Sequence, residues 1–174
     1  VGAAFPDIVS ALRGAPPGTV VELADGFQEA GWSVPPGVLL RPVPGARPIL
    51  SAPEGSPALL VEPGHGASIR DLEFNSGTES AISAGGARRF TATRLFIHDF
   101  DQGGIALSGG ADSIVRDCRI TRAQEQSVRL TGERQLVLQC EISDAGWIGI
   151  ALEGPDCAAE RCRLRGGQRI GIHA

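Results

Sequence analysis

The sequence predicts an all-β protein wound as a parallel solenoid, with three short strands and 22–23 residues per coil, and three observations carry that prediction. Phe74, Ile97, Ile120, Ile142 and Leu164 follow one another at steps of 23, 23, 22 and 22 residues. Three more apolar series keep the step: Leu72, Leu95, Cys118, Cys140, Cys162; Ile69, Ala92, Val115, Val137, Ala159; and Leu59, Ile82, Ile105, Val128, Ile150, Ile172. A glycine series, Gly86, Gly109, Gly132 and Gly154, trails the last of these by four positions. A fixed period near 22 that carries short apolar runs marks stacked coils, because no single repeat can bury its own apolar face.

In chain order, residues 4–13 put Phe5, Ile8, Val9 and Leu12 on one helical face behind Pro6-Asp7. Such a helix is expected to cap the first coil, whose edge is otherwise open. The cap and its turn take residues 1–18, and irregular first coils follow over 19–57. Strands are placed there only at Val20 to Leu23, Val38 to Leu40 and Ile49-Leu50, with Pro42 to Pro57 otherwise a loop. Regular coils run from 58 to 174 within one domain. In one coil, Ile114 to Arg116 form a strand, Asp117 a bend, and Cys118 to Ile120 a second strand with Arg119 outward. Val128 to Leu130 form the third, and Thr131-Gly132 close the coil. Ile172 opens a coil that is never completed, so the C-terminal end is expected to be truncated. A continuation of the same chain, or self-association, would cover it. The start at Val1 without a methionine reads as a processed or trimmed terminus.

Few aromatics, no methionine and 24 glycines suit a narrow core of Val, Ile, Leu and Cys. A net charge of −4 with interspersed signs calls for neither nucleic acid nor a membrane surface as partner. Cys118, Cys140 and Cys162 form an inward ladder. Their spacing gives a row rather than the tetrahedron zinc requires, and parallel side chains are poorly aimed for a disulfide, so free buried thiols are expected. Cys157 lies off the ladder.

The stretches ALLVEPGHGASIRDLEF (58–74), GGIALSGGADSIVRDCRI (103–120) and GWIGIALEG (146–154) resemble the right-handed parallel β-helix proteins of the pectin-lyase-like superfamily. That resemblance implies the handedness, and it implies a groove on the sheet of the Leu59–Ile172 series, flanked by the loop before it. That sheet is expected to turn outward Ala81, Gly104, Ser127, Gly149 and Gly171, then Ser83, Ala106, Arg129, Ala151 and His173. Arg129 and His173 interrupt the small residues, two coils and roughly 9–10 Å apart. The loops add Asp99, Asp101 and Gln102; Arg122, Gln124 and Glu125; Asp144 and Trp147; and Arg165, Gln168 and Arg169.

A polysaccharide, of acidic type, is the partner this bed implies, with an extracellular or periplasmic location. For a lyase or epimerase, Arg129 would be the base, with Asp99, Asp101 and Asp144 ligating calcium, the one cofactor the resemblance admits. No DPH motif of the alginate epimerases appears. For an inverting hydrolase, Asp99 and Asp144 would be the carboxylate pair, two coils or about 9–10 Å apart. Catalytic candidates are therefore Arg129, Asp99, Asp144 and His173, and substrate-binding candidates Trp147, Asp101, Gln102, Arg122 and Glu125, with no dedicated metal site. Trp147 would stack on a sugar ring. The competing expectation is a non-catalytic structural or interaction module. In it, outward columns such as Asp71, Arg94, Asp117 and Arg119, Glu141, Arg163 are salt-bridge ladders, and His65 and His98 are simply exposed.

Overall fold

The computed structural model describes residues 7–167 and 170–173. Three parallel sheets of stacked short strands enclose one apolar core over seven coils. Sheet I runs from Val20–Leu23 through Leu39–Pro42, Ser68–Arg70, Thr91–Thr93, Ile114–Arg116 and Leu136–Leu138 to Ala158–Glu160. Sheet II runs from Gly26–Glu29 through Pro48–Ser51, Glu73–Gly77, Phe96–Phe100, Arg119–Ala123 and Glu141–Ser143 to Arg163–Arg165. Sheet III runs from Trp32–Val34 through Leu59–Val61, Ser80–Gly85, Gly103–Ala111, Gln126–Glu133 and Ile148–Glu153 to Ile170–His173. The register pairs Ile97 with Ile120 and Ile120 with Ile142, and likewise Ile105 with Val128 and Val128 with Ile150, as the period demands. Ile69, Phe74, Ile82, Ile105, Ile120, Val128 and Ile150 are wholly buried.

The first coils use the same three sheets, although their spacing hides it. Gly26–Glu29 and Trp32–Val34 are strands that the apolar pattern does not announce. Gly26–Glu29 leaves Phe27 64% exposed, so no alternation marks it. The step from Val20 to its partner Leu39 is 19 residues and from Leu39 to Ser68 is 29, so connector length varies while the strands stay in place.

The cap helix is shorter than expected. It spans Ile8–Leu12, with the Asp7 carboxylate accepting from the Ser10 amide at 2.6 Å as N-cap. Leu12 is buried, but Val9 is 44% exposed and turns away from the first coil. Five residues make under two turns, too few to put four side chains on one face. Phe5 lies outside the described residues.

The corners share one device. Among the described residues thirteen that are not glycine have positive φ, and all thirteen fall in three ladders stacked coil upon coil. Asp71, Arg94, Asp117, Gln139 and Arg161 turn the chain from sheet I to sheet II. Ser76, Asp99, Arg122 and Asp144 turn it from sheet II to sheet III, and Arg89, Asp112, Arg134 and Asp156 return it to sheet I. The left-handed conformation costs such residues roughly 1–2 kcal/mol each. It also keeps the corner amides in the inter-coil ladder: Asp71 donates to Thr93 O at 3.1 Å and Arg94 to Arg116 O at 3.1 Å. Side chains offset more of the cost, since Arg94 pairs with Asp71 at 2.6 Å, Arg122 with Asp99 at 2.6 Å, and Arg134 with Asp112 at 2.7 Å.

Of the expected face ladders, Asp71–Arg94 forms. Arg119 instead lies over the Phe96 ring, 5.7 Å from its centroid, and among the described residues Glu141 makes no ion pair.

Candidate functional site

The outer face of sheet III is narrower than the alternation predicts. Ala81 and Ser127 have no exposure, and Gly104 and Gly149 are buried. A Cβ on Gly104 would press on Ile120 at 3.0 Å, and one on Gly149 would run into Leu164, so this column points into the core. The reason is local. The strand leaves the sheet II corner still turning, and two successive side chains face inward before alternation begins. Only Gly, Ala or Ser fits against the Ile97–Leu164 column there. Ser127 is the misfit, since its Oγ is buried with no hydrogen-bond partner.

The true outward row, in register, is Leu60, Ser83, Ala106, Arg129, Ala151 and His173. Arg129 rises between Ala106 and Ala151, half-exposed, and its nearest carboxylate oxygen, on Glu153, is 3.7 Å away. His173 is exposed in the last described strand. The row therefore carries two long polar side chains, Arg129 and His173, with Ala151 between them.

The wall is the sheet II to sheet III corner. Asp101, Gln102 and Glu125 are exposed on it. Trp147 projects from it at 44% exposure, next to Gly146, where a Cβ would run into the Gln124 carbonyl. Arg122 Nε and Nη2 donate to the two oxygens of Asp99 at 2.6 and 2.7 Å. The same carboxylate lies 2.7 Å from His98 Nδ1, and His98 Nε2 lies 3.2 Å from Glu73 Oε1. The Arg122 guanidinium, then His98, hold the Asp99 carboxyl well below the usual carboxylate range, while Asp99 raises Arg122. Asp99 is thus committed to its neighbours. Arg122 stands in the corner column between Asp99 and Asp144.

His98 is the residue sequence reasoning undervalued. Its side chain is only 12% exposed, both ring nitrogens have carboxylate partners, and Phe96 stacks on it at 4.6 Å. The signal was available, since Glu73 sits one coil below and two places earlier on the same outward face.

Calcium does not fit the candidate ligands. Among the described residues no three His, Cys, Asp or Glu side chains gather closely enough to hold a metal, and Asp99 is already saturated. The larger hollows do not reach Arg129 or His173, although one of about 490 Å³ borders Trp32 and Ser33 in the first strand of sheet III. One of about 670 Å³ lies at the N-terminal end between the cap and Val20–Leu23. One of about 160 Å³ lies at the other end, against Ile142, Ala145, Gly149 and Leu164. The floor is an open shelf, which suits a chain-like ligand better than a small enclosed one. Gln168 and Arg169 lie outside the described residues. Among those described, no helix is long and apolar enough to cross a membrane.

Comparison with known proteins adds the following. A family described as "Right handed beta helix region" matches residues 52–174. No curated protein sequence matches the chain. Among solved structures, a rhamnogalacturonan lyase superposes with a TM-score of 0.70 at 13% identity, covering 98% of this chain and 60% of that one. A protein of Parabacteroides merdae, assigned as a glycosyl hydrolase, superposes with a TM-score of 0.55 at 9% identity, covering 92% of this chain and 84% of that one. The chain therefore spans 60% of the lyase's length. At these identities the likeness is one of fold.

Proposed function

This chain belongs to the right-handed β-helix family, and on that premise we propose that it binds and processes a polysaccharide laid along the outer face of sheet III. The observation that carries the reading is the outward row itself. Ser83 and Ala106 leave a flat bed beside Arg129, and Ala151, itself covered, lies between Arg129 and His173. Trp147 on the wall offers an apolar face to a pyranose ring. Both structural neighbours carry names of polysaccharide- or glycoside-cleaving enzymes, which agrees with the reading and does not carry it. A site of action outside the cytoplasm, extracellular or periplasmic, goes with such a substrate.

An acidic glycan suits Arg129, whose planar guanidinium pairs with a sugar carboxylate through two parallel hydrogen bonds. Hydrolysis by Asp99 and Asp144 is the weaker chemistry, because Asp99 is engaged by Arg122 and His98. Elimination fits the remaining groups better. Arg129 neutralises the uronate carboxylate, the C5 proton passes to His173, a C4–C5 double bond forms, and the C4–O bond breaks with the departing glycosidic oxygen taking a proton from solvent.

The second reading, a structural or interaction module, draws on the corner ladders. Asp71, Asp99 and Asp112 are each consumed by an arginine one coil on, as in a scaffold whose charges serve stacking alone. Incubation with a panel of uronate and neutral polysaccharides, read by product mass, separates the readings. Unsaturated ends that Arg129→Ala abolishes support elimination, and products that gain water mean hydrolysis. No product from the folded protein supports the module.

A further inference from the structure

The cysteine ladder has a geometry that the proposed glycan site does not use. Cys118, Cys140 and Cys162 are free thiols at equivalent positions of successive coils, immediately before the sheet II strands. The backbones are locked in step, with Glu141 N donating to Cys118 O at 2.9 Å and Arg163 N to Cys140 O at 2.8 Å. The side chains share one orientation. Each Sγ–H donates to the carbonyl two residues earlier: Arg116 O at 3.2 Å, Leu138 O at 3.5 Å and Glu160 O at 3.4 Å. Three thiols with one rotamer on stacked strands repeat at the strand spacing, roughly 4.8 Å. Cys118 and Cys140 are both buried.

That spacing discriminates among partners. A disulfide needs its sulfurs about 2.05 Å apart, which would require both thiols to rotate away from their carbonyl partners and towards each other. Tetrahedral zinc needs four ligands around a point, and a row supplies none above or beside it. A soft cation that takes two thiolates in line needs two metal–sulfur bonds of roughly 2.3 Å, or about 4.6 Å from sulfur to sulfur. This is the stacking distance.

We propose that Cys118 and Cys140 form a two-coordinate site for one soft, thiophilic cation of the Cu(I) or Ag(I) class. Binding breaks two S–H bonds, releases two protons to solvent and forms two metal–sulfur bonds. No group is oxidised or reduced. Cys162, half-buried at the end of the ladder, is the neighbour through which an ion reaches the pair. Cys157, off the ladder with its Sγ donating to Gly132 O at 3.4 Å, has no stacked partner and serves as an internal control.

The test is titration of the reduced, folded protein with Ag(I) under anaerobic conditions, reading ultraviolet charge-transfer absorption and proton release together. One tight equivalent releasing two protons is expected. Cys118→Ala and Cys140→Ala are each expected to weaken it at least tenfold, while Cys157→Ala and Cys162→Ala retain it. Should Cys140→Ala fail to fold, Cys118→Ser decides alone. Absence of a tight equivalent in the wild type, or undiminished uptake with Cys118 replaced, overturns the site and leaves a ladder of plain core thiols.

Discussion

Arg122 grips Asp99 one coil below it through both carboxylate oxygens, at 2.6 and 2.7 Å, while His98 holds the same carboxylate from the side at 2.7 Å. The pair lies on the corner that walls the sheet III shelf. It sets the charge of that stretch of wall, because both oxygens of the carboxylate already accept hydrogen bonds from Arg122 and His98.

The first prediction concerns acid. The folded Asp99 pKa is depressed, chiefly by Arg122 and then by His98. Its contribution is therefore present above the unfolded value of about 3.9 and is lost as pH falls towards the folded one. With the Asp99 side chain 40% exposed, solvent screening keeps the effect near 0.5–1 kcal/mol. Urea midpoints at pH 7 and pH 3 are expected to lie closer together in Asp99→Asn than in the wild type. An unchanged difference contradicts the pairing.

The inward small column gives the second prediction. Gly104→Val places bulk against Ile120 and the Ser127 carbonyl and is expected to cost about 1–3 kcal/mol or more. Ser127→Ala removes a buried hydroxyl without a partner and is expected to leave stability unchanged or raise it by up to about 1 kcal/mol. Denaturant melts of both variants check the pair. If position 104 faced solvent, valine there would be nearly neutral.

Thiol labelling supplies the third. Cys157 and Cys162 are partly exposed, whereas Cys118 and Cys140 are buried. Contact with Cys118, together with burial, also pushes the Cys140 thiol above its ordinary range, away from the reactive thiolate. A chromogenic disulfide reagent is expected to titrate two thiols in the folded protein and the other two only in denaturant.

Calcium supplies the fourth. No carboxylate trio converges among the described residues, so neither added calcium nor a chelator is expected to shift Tm or any glycan affinity. A calcium-dependent rise of several degrees would contradict this.

The period made most of the fold legible, since one step fixed the partners of Phe74, Ile97 and Ile120 without any reference to three dimensions. It failed where connectors vary, so Gly26–Glu29 and Trp32–Val34 went unseen. Strict alternation also misplaced Ala81, Gly104, Ser127 and Gly149, because a strand that emerges from a tight corner does not alternate at its first residue. At the site, the outward placing of Arg129 and His173 was readable from the Leu59–Ile172 column. The capture of Asp99 was not read, although its partner lies one period away with opposite charge, the same relation as in Asp71–Arg94 and Asp112–Arg134. His98 was missed because its partners lie diagonally, Glu73 one coil below and two places earlier and Asp99 next in the chain, rather than at the period itself.

The most direct test of a glycan lying along sheet III uses the two tryptophans, Trp32 and Trp147. Trp32 is buried at 6% exposure and Trp147 stands on the wall at 44%, so a change in fluorescence on adding glycan reports the wall. Titration with uronate oligosaccharides is expected to give a saturable change that Trp147→Phe removes and that Arg129→Ala weakens about tenfold or more. No change with any acidic or neutral glycan, in protein whose unfolding curve is normal, would contradict the account.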